Sequence, residues 1–345
     1  MEQHKETVLV TGGSGFLGSY CILQLLREGY QVKTTIRSIN KQPEGIRHLQ
    51  TGGATHLERL QFIEADLTDD RNWHEAVKGC TYVLHVASPF PGNTPKDENE
   101  LIIPAREGTI KVLQAARQAG VKRVVMTSSF AAVGYSSNPK EHLFTETDWT
   151  DPNTSLPAYI KSKAIAEIAA WDFIRTAGEE LQLTVINPVG IFGPVLGENF
   201  SSSIKIIERI MSSKMPAIPN IYTNITDVRD VADLHLRAMI APQAAGQRFL
   251  ALSGGSMSFT EIAQTIRNNI PAIADRISTK TAPDWLLKLM SLFKKELKQV
   301  VPLLGVVKEV SNEKAIRLLG WQPRSNQECI LATAQSLLDQ GIVKV

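Results

Sequence analysis

The chain has little of what would tie it to an export route, a membrane or a polyanion. It holds three cysteines in 345 residues, Cys21, Cys80 and Cys329, widely separated and odd in number. That is the usage of free thiols in a reducing compartment, and no disulfide framework is expected. Neither sign of charge is in excess: 37 basic residues stand against 35 acidic ones, for a net charge of +2, and no block of like charge occurs. Nucleic acid and anionic membranes are therefore not expected partners. No apolar run reaches the roughly eighteen residues needed to cross a bilayer. The opening residues, Met1 to Glu6, are polar and run straight into an apolar stretch, so neither a signal nor a transit peptide is expected. The glycosylation patterns at Asn199 and Asn224 then carry no meaning, and the expected location is cytoplasmic. Internal repeats and low-complexity linkers are also missing.

What is present is enough apolar material for a large core, at 43% of residues, which suits about two domains or one large α/β domain with an appendage. The stretch Leu9-Val10-Thr11-Gly12-Gly13-Ser14-Gly15-Phe16-Leu17-Gly18 organises the rest. An aliphatic, β-branched run from Thr7 to Val10 precedes the glycines, and Phe16, Leu17, Tyr20, Leu23 and Leu26 recur at roughly helical spacing up to Gly29. A strand, a glycine turn and a helix in that order form a pyrophosphate cradle. Gly12 allows the tight turn, Gly15 lets backbone approach the ligand, and Gly18 lets helix and sheet pack closely. The free N–H groups at the helix start face the phosphates. A second strand, Gln31 to Arg37, ends on a basic residue where an acid would accept from an adenosine 2′-hydroxyl. Arg37, with Lys41 close behind and no acid near it in sequence, suits a 2′-phosphate and hence NADPH; the alternative is a solvated arginine at a strand end. Asp66 closes a third strand, where it suits either the adenine amino group or the start of the next helix.

Tyr82 to Pro89 is apolar, as a strand covered on both faces should be, with small residues at its end and His85 read as a core histidine. A helix is expected from about Pro104 to Ala119. The strand Arg123 to Ser129 then ends in two hydroxyls, where ligands of open parallel sheets bind. After a long loop, Pro157 opens a helix in which Tyr159 and Lys163, four apart, share a face. Leu183 to Pro188 is a further buried strand, and Gly190 to Pro194 leads out of it. Residues 195–226 read as an irregular substrate cover with a helix near 203–211. A helix over 227–240 and a strand over 248–252 return to the sheet. Asp227, Asp230, Asp233 and His235 read as capping and surface charge, and no metal site is expected. The stretch from Trp285 to Phe293 reads as a packed helix of a small second domain, with an oligomer or membrane-surface face as the alternative.

Paired hydroxyls at a strand end, a tyrosine and lysine one turn apart, and a dinucleotide loop together spell carbonyl reduction. Hydride comes from the cofactor, and Tyr159 gives a proton to the developing alkoxide. A tyrosine, with a pKa near ~10, is eased toward phenolate by a neighbouring ammonium, here Lys163, which also reaches the nicotinamide ribose. Ser129 donates a second hydrogen bond to the carbonyl oxygen.

These motifs, with Val86-Ala87-Ser88-Pro89, Thr127-Ser128-Ser129 and Asn187-Pro188 to Pro194, resemble the extended short-chain dehydrogenase/reductase family, and most closely its dihydroflavonol-reductase-like branch of aldehyde and ketone reductases. The resemblance runs over essentially the whole chain, most strongly before residue 240. It implies a Rossmann-type doubly wound parallel sheet with a smaller, mostly helical C-terminal substrate domain. The expected division assigns residues 1–194 and 225–252 to NADP binding, and 195–224 and 253–345 to substrate. Ser129, Tyr159 and Lys163 form the implied catalytic set. The expected cofactor contacts are Gly12, Ser14, Gly15, Phe16, Leu17, Gly18, Arg37, Lys41, Asp66, Leu67, Val86, Ala87, Ser88, Thr127, Ser128, Pro188, Val189, Ile191 and Ser203, with Tyr159 and Lys163. Phe90, Phe130, Tyr135, Phe200 and Tyr222 are expected to wall a pocket for a small hydrophobic carbonyl compound. The Asn-Trp-Tyr-Cys-Tyr-type motif of cinnamoyl-CoA reductases is absent around Tyr159, which argues against a CoA thioester. No counterpart of the active-site asparagine of shorter members can be placed. Two competing readings are a nucleotide-sugar epimerase or dehydratase that retains NAD, and a non-catalytic NADP(H)-sensing regulator. The expected state is a monomer or homodimer.

Overall fold

The computed structural model describes residues 6–89, 95–136, 142–294, 297 and 300–344. Seven strands form one parallel sheet: β1 (Thr7–Thr11), β2 (Gln31–Ile36), β3 (Leu60–Glu64), β4 (Tyr82–His85), β5 (Arg123–Thr127), β6 (Gln182–Pro188) and β7 (Arg248–Ala251). Their order is β7-β6-β5-β4-β1-β2-β3, so the direction of winding reverses between β1 and β4. In a doubly wound sheet that reversal opens the crevice where ligands bind, beyond the carboxyl ends of the strands.

Alternation along the strands builds two cores. Val8 and Val10 face a layer made by α1 (Phe16–Arg27), α2 (Gln42–Thr51) and α7 (Val228–Ile240), where they pack with Leu25, Leu26, Leu49, Val231 and Leu234. Leu9 points the other way, toward α3 (Trp73–Val77), α4 (Asn99–Gln118) and α5 (Ala158–Ala177), through Trp73, Val112, Leu113 and Ala170. Helix α4 begins five residues before the expected start and carries Pro104 in its interior. Burial of Leu101 and Ile102 on the same apolar face outweighs the hydrogen bond the proline forfeits.

A third core lies beyond the sheet. It joins Phe192, Ile204 and Ile207 of the stretch through α6 (Ser202–Met211) to Ile262 and Ile266 of α8 (Phe259–Asn269) and to Ile330 and Leu337 of α11 (Asn326–Asp339). Ser258 and Ser325 each close a capping box at the start of α8 and α11. The C-terminal segment is shared between cores. Ala315 and Leu319 of α10 (Glu313–Leu319), with Trp321, pack beneath the sheet, and the Trp321 indole donates to the Asp230 carbonyl at 2.9 Å. Helix α9 (Asp284–Met290) corrects the expectation of a packed helix, because it buries no residue, and Trp285 and Phe293 are 67% and 84% exposed. Lys288 interrupts its apolar residues, so no single face can be laid against the core.

Candidate active site

The glycine loop is built as its spacing requires. Gly12 has a φ of +71°, open to glycine at little cost, and a Cβ there would press Ala87 at 3.0 Å. A Cβ on Gly18 would strike the Gly12 carbonyl, so only glycine lets α1 start against the loop. A Cβ on Gly15 would meet nothing but the Gly12 oxygen, at 3.2 Å, so the outer side of the loop stays open. No side chain caps α1 and no acid occupies its first turn, which leaves its N-terminal dipole uncompensated. Gly13 was missed: its Cβ would collide with Thr34 and with Ile22, so it is the contact that seats the loop on β2. Asn199 donates to the Ser14 carbonyl at 3.1 Å and ties the loop to the stretch before α6.

The ends of β1 and β4 are joined by Thr11, whose hydroxyl accepts from the Ala87 N–H at 3.0 Å and meets His85 Nδ1 at 2.9 Å. Burial, with Lys163 nearby, pulls the His85 pKa down to about 3, so it is a neutral core residue. Arg37 is exposed just past β2, and its charge helps lower the Asp66 carboxyl, after the two bonds from the Thr68 backbone and hydroxyl. Asp66 therefore caps the turn after β3. Pairing of β2 with β3 sets Glu64 opposite Ile36, and its carboxylate accepts from the Ile39 N–H at 2.8 Å. An acid that the sequence does not place near Arg37 is thus brought there by the sheet, with its oxygen engaged by backbone. Lys41 is exposed at the start of α2, and Leu67 packs against Gly108 of α4.

Helix α5 sets Tyr159 and Lys163 at the carboxyl ends of β4 and β5. The Lys163 ammonium donates to the Ser88 hydroxyl at 2.9 Å and lies 5.9 Å from the centre of the Tyr159 ring. Burial lowers the Lys163 pKa to about 8, opposed by Glu167. Tyr159 shares a side-chain hydrogen bond with Ser129. Its pKa is raised, by burial first, with the Ser129 bond lowering it and Tyr135 raising it further. The net shift is upward, against the expectation of an acidified phenol: burial outweighs the lowering by the Ser129 bond, although the Lys163 ammonium stands over the same ring. Thr127 and Ser128 face away from the crevice. Thr127 bonds His235 Nε2 at 2.7 Å, and Ser128 donates to Glu167 at 2.6 Å.

Glu167, given no role by sequence, is the hub behind the site. Fully buried, it accepts from Ser128, from Asn187 at 2.7 Å and from Arg248 at 2.6 Å. Asn187 also donates to the Ser129 carbonyl at 3.2 Å, so the carboxylate holds the segment that presents the serine. Pro188 ends β6, and Val189 donates its N–H to the Ala251 carbonyl at 3.2 Å. Ile191 accepts at its carbonyl from Ser201 at 2.8 Å, one residue before α6, whose first turn carries Ser203. Asp227 caps α7 and pairs with Arg229, and Asp230 pairs with Arg324.

Of the expected pocket walls, Phe130 and Tyr135 come together with ring centres 5.8 Å apart, but Phe130 is buried against Phe144 and Val133. Phe200 leans on the third core, and Tyr222 is half-buried on the short strand Tyr222–Thr223. Phe90 lies outside the described residues.

Residues 8–251 match the model of the NAD dependent epimerase/dehydratase family. A cinnamoyl-CoA reductase from Medicago truncatula is 32% identical over 340 residues, covering 96% of each chain. A putative NADPH-dependent methylglyoxal reductase from Candida albicans is 34% identical over 79% of this chain and 85% of its own length. Among solved structures, yeast methylglyoxal/isovaleraldehyde reductase Gre2 complexed with NADPH superposes with a TM-score of 0.81 at 26% identity, covering 98% of this chain and all of that one.

Proposed function

The chain belongs to the NAD dependent epimerase/dehydratase family, the extended short-chain dehydrogenases/reductases, and on that footing we propose that it is an NADPH-dependent reductase of aldehydes or ketones. The observation that carries this reading is the convergence of Tyr159, bonded to Ser129, and Lys163, bonded to Ser88, at the mouth of the crevice that the glycine loop opens. The loop suits a dinucleotide: its outer side is open at Gly15, and the uncapped start of α1 offers N–H groups and a positive dipole end to a diphosphate. Arg37 would meet a 2′-phosphate, and Lys163 and Ser88 would meet ribose hydroxyls. When bound, the nicotinamide supplies the hydride.

The chain's own residues handle the proton. A raised pKa keeps the Tyr159 phenol protonated at neutral pH, as a donor to a carbonyl oxygen must be. The Ser129 hydroxyl accompanies it as a second donor to the same oxygen and stabilises the charge that develops there. Lys163 holds a positive charge over the Tyr159 ring, in the low-dielectric end of the crevice, and so stabilises the phenolate left once the proton has been given. We read residues 1–194 and 225–252 as the nucleotide unit, and 195–224 and 253–345 as the substrate unit, with 313–324 given to the first because Trp321 packs beneath the sheet.

A panel of aldehydes, α-ketoesters, diketones and flavonoid-like ketones, followed by loss of NADPH absorbance and repeated with NADH, tests the reading. Turnover of at least one carbonyl class with NADPH is expected, and no net consumption across the panel overturns it. Arg37→Ala is expected to cut the NADPH-over-NADH ratio of kcat/KM by about 10- to 100-fold, the loss of a charge-assisted phosphate contact. An unchanged ratio would remove Arg37 from the cofactor site.

A further inference from the structure

Lys308 is a partly buried cation that the chemistry above leaves without a task. It arrives from the C-terminal segment, which crosses the strand ends and is pinned there. Glu309–Val310 pairs in parallel with Leu143–Phe144, Asn224 donates to the Lys308 carbonyl at 3.0 Å, and Asn312 donates to the Leu252 carbonyl at 2.8 Å. The half-buried side chain is thus held on both flanks. Its ammonium donates to the Gly134 carbonyl and sits 3.9 Å from the centre of the Tyr135 ring, with Phe144 and Phe130 at 5.7 and 6.0 Å. Phe130 follows Ser129 in the chain, and the Tyr135 phenol is close enough to act on Tyr159. The ammonium therefore packs on the ring of Tyr135, an aromatic within electrostatic reach of Tyr159.

Three N–H donors belong to an ammonium. Gly134 takes one and the face of Tyr135 engages another; among the described residues no carboxylate pairs with the group. Burial pulls its pKa down to about 8 with no opposing charge, so at neutral pH it stays largely cationic and carries no counter-charge among the described residues. A lysine on a solvated face would gain nothing from such a cage. A single ammonium beside three aromatic rings matches the charge of a single carboxylate.

We propose that Lys308 is a specificity-determining residue of this site, its ammonium receiving the carboxylate of a substrate whose carbonyl lies at Tyr159 and Ser129. The proposal rests on the reductase reading and narrows it from neutral hydrophobic carbonyls to carbonyl acids. The test compares 2-oxo-4-phenylbutanoate with its ethyl ester, which share the reacting carbonyl, using NADPH and the wild-type, Lys308→Met and Lys308→Arg proteins. The wild-type carboxylate-over-ester ratio of kcat/KM is expected above one. Lys308→Met should lower it by about 10-fold or more, mainly through KM, the worth of a charge-assisted contact. Lys308→Arg should retain most of it. A wild-type ratio below one, or a ratio that Lys308→Met leaves unchanged while both rates fall together, overturns the proposal and marks Lys308 as a buttress of Tyr135. Failure of both substrates and of every neutral carbonyl in the panel overturns the reductase reading itself, and this proposal with it.

Discussion

Tyr159→Phe is expected to lower kcat/KM for carbonyl reduction by about 10²- to 10⁴-fold, the range a positioned general acid supplies. The ring stays, so burial and the packing of α5 stay with it, and NADPH affinity measured by fluorescence should hardly move. What goes is the proton donor and the acceptor of the Ser129 bond. Ser129 alone offers one donor, with a hydroxyl that also accepts from the Ala131 N–H at 3.1 Å. The loss should fall on kcat, since the proton is given only as the alkoxide develops. A variant that binds NADPH normally and keeps full turnover would take Tyr159 out of the reaction.

The second large effect is on stability. Glu167→Ala is expected to destabilise the fold by about 3–5 kcal/mol, because removing one partner of a buried pair leaves the other charge uncompensated. Arg248, only 7% exposed, would keep its carbonyl partners at Glu146 and Asp148 and its stacking on Trp149, but lose its counter-charge, and Ser128 and Asn187 would lose their acceptor. Thermal and denaturant melts read this directly. There is an electrostatic signature as well. Lys163 is held at about 8 by burial, with Glu167 pulling it upward. The cationic form persists below that value and is lost as pH rises through it, so activity that depends on the charge has an alkaline limb near 8. Loss of Glu167 moves that limb to lower pH. Glu167→Gln, which keeps the shape and one acceptor, should recover much of the stability but leave the limb displaced. A melt and a pH profile both unchanged in Glu167→Ala would show the hub to be inert.

Local signals made the sheet and the loop legible. The run Thr7 to Val10 followed by Gly12, Gly15 and Gly18 carries its own geometry, and the four-residue step from Tyr159 to Lys163 fixes a shared helix face. The hidden parts depend on distant partners. Glu167 is a lone acid among Ala164, Ile165, Ala166, Ile168 and Ala169, four residues past Lys163, and that oddity was a usable sign of a buried charge. Its partners Ser128, just past β5, and Asn187 and Arg248, on β6 and β7, are far apart in sequence and could not be foreseen. Lys308 gave no sign at all, since nothing in its neighbourhood says that residues 309–310 cross to 143–144. The direction of the Tyr159 shift was hidden for a related reason: spacing puts an ammonium near a phenol but does not tell how deeply the packed helix buries it. For Trp285 to Phe293, apolar content without a clean face suggested burial that the fold does not provide.

The reductase reading comes down to where one hydrogen goes. With [4,4-2H2]NADPH and a carbonyl substrate turned over by the protein, the product alcohol should carry a single deuterium on its carbinol carbon, one for each cofactor oxidised. Substrate conversion without net NADPH oxidation, or an alcohol free of deuterium, would contradict it and return the crevice to a cofactor that is held rather than spent.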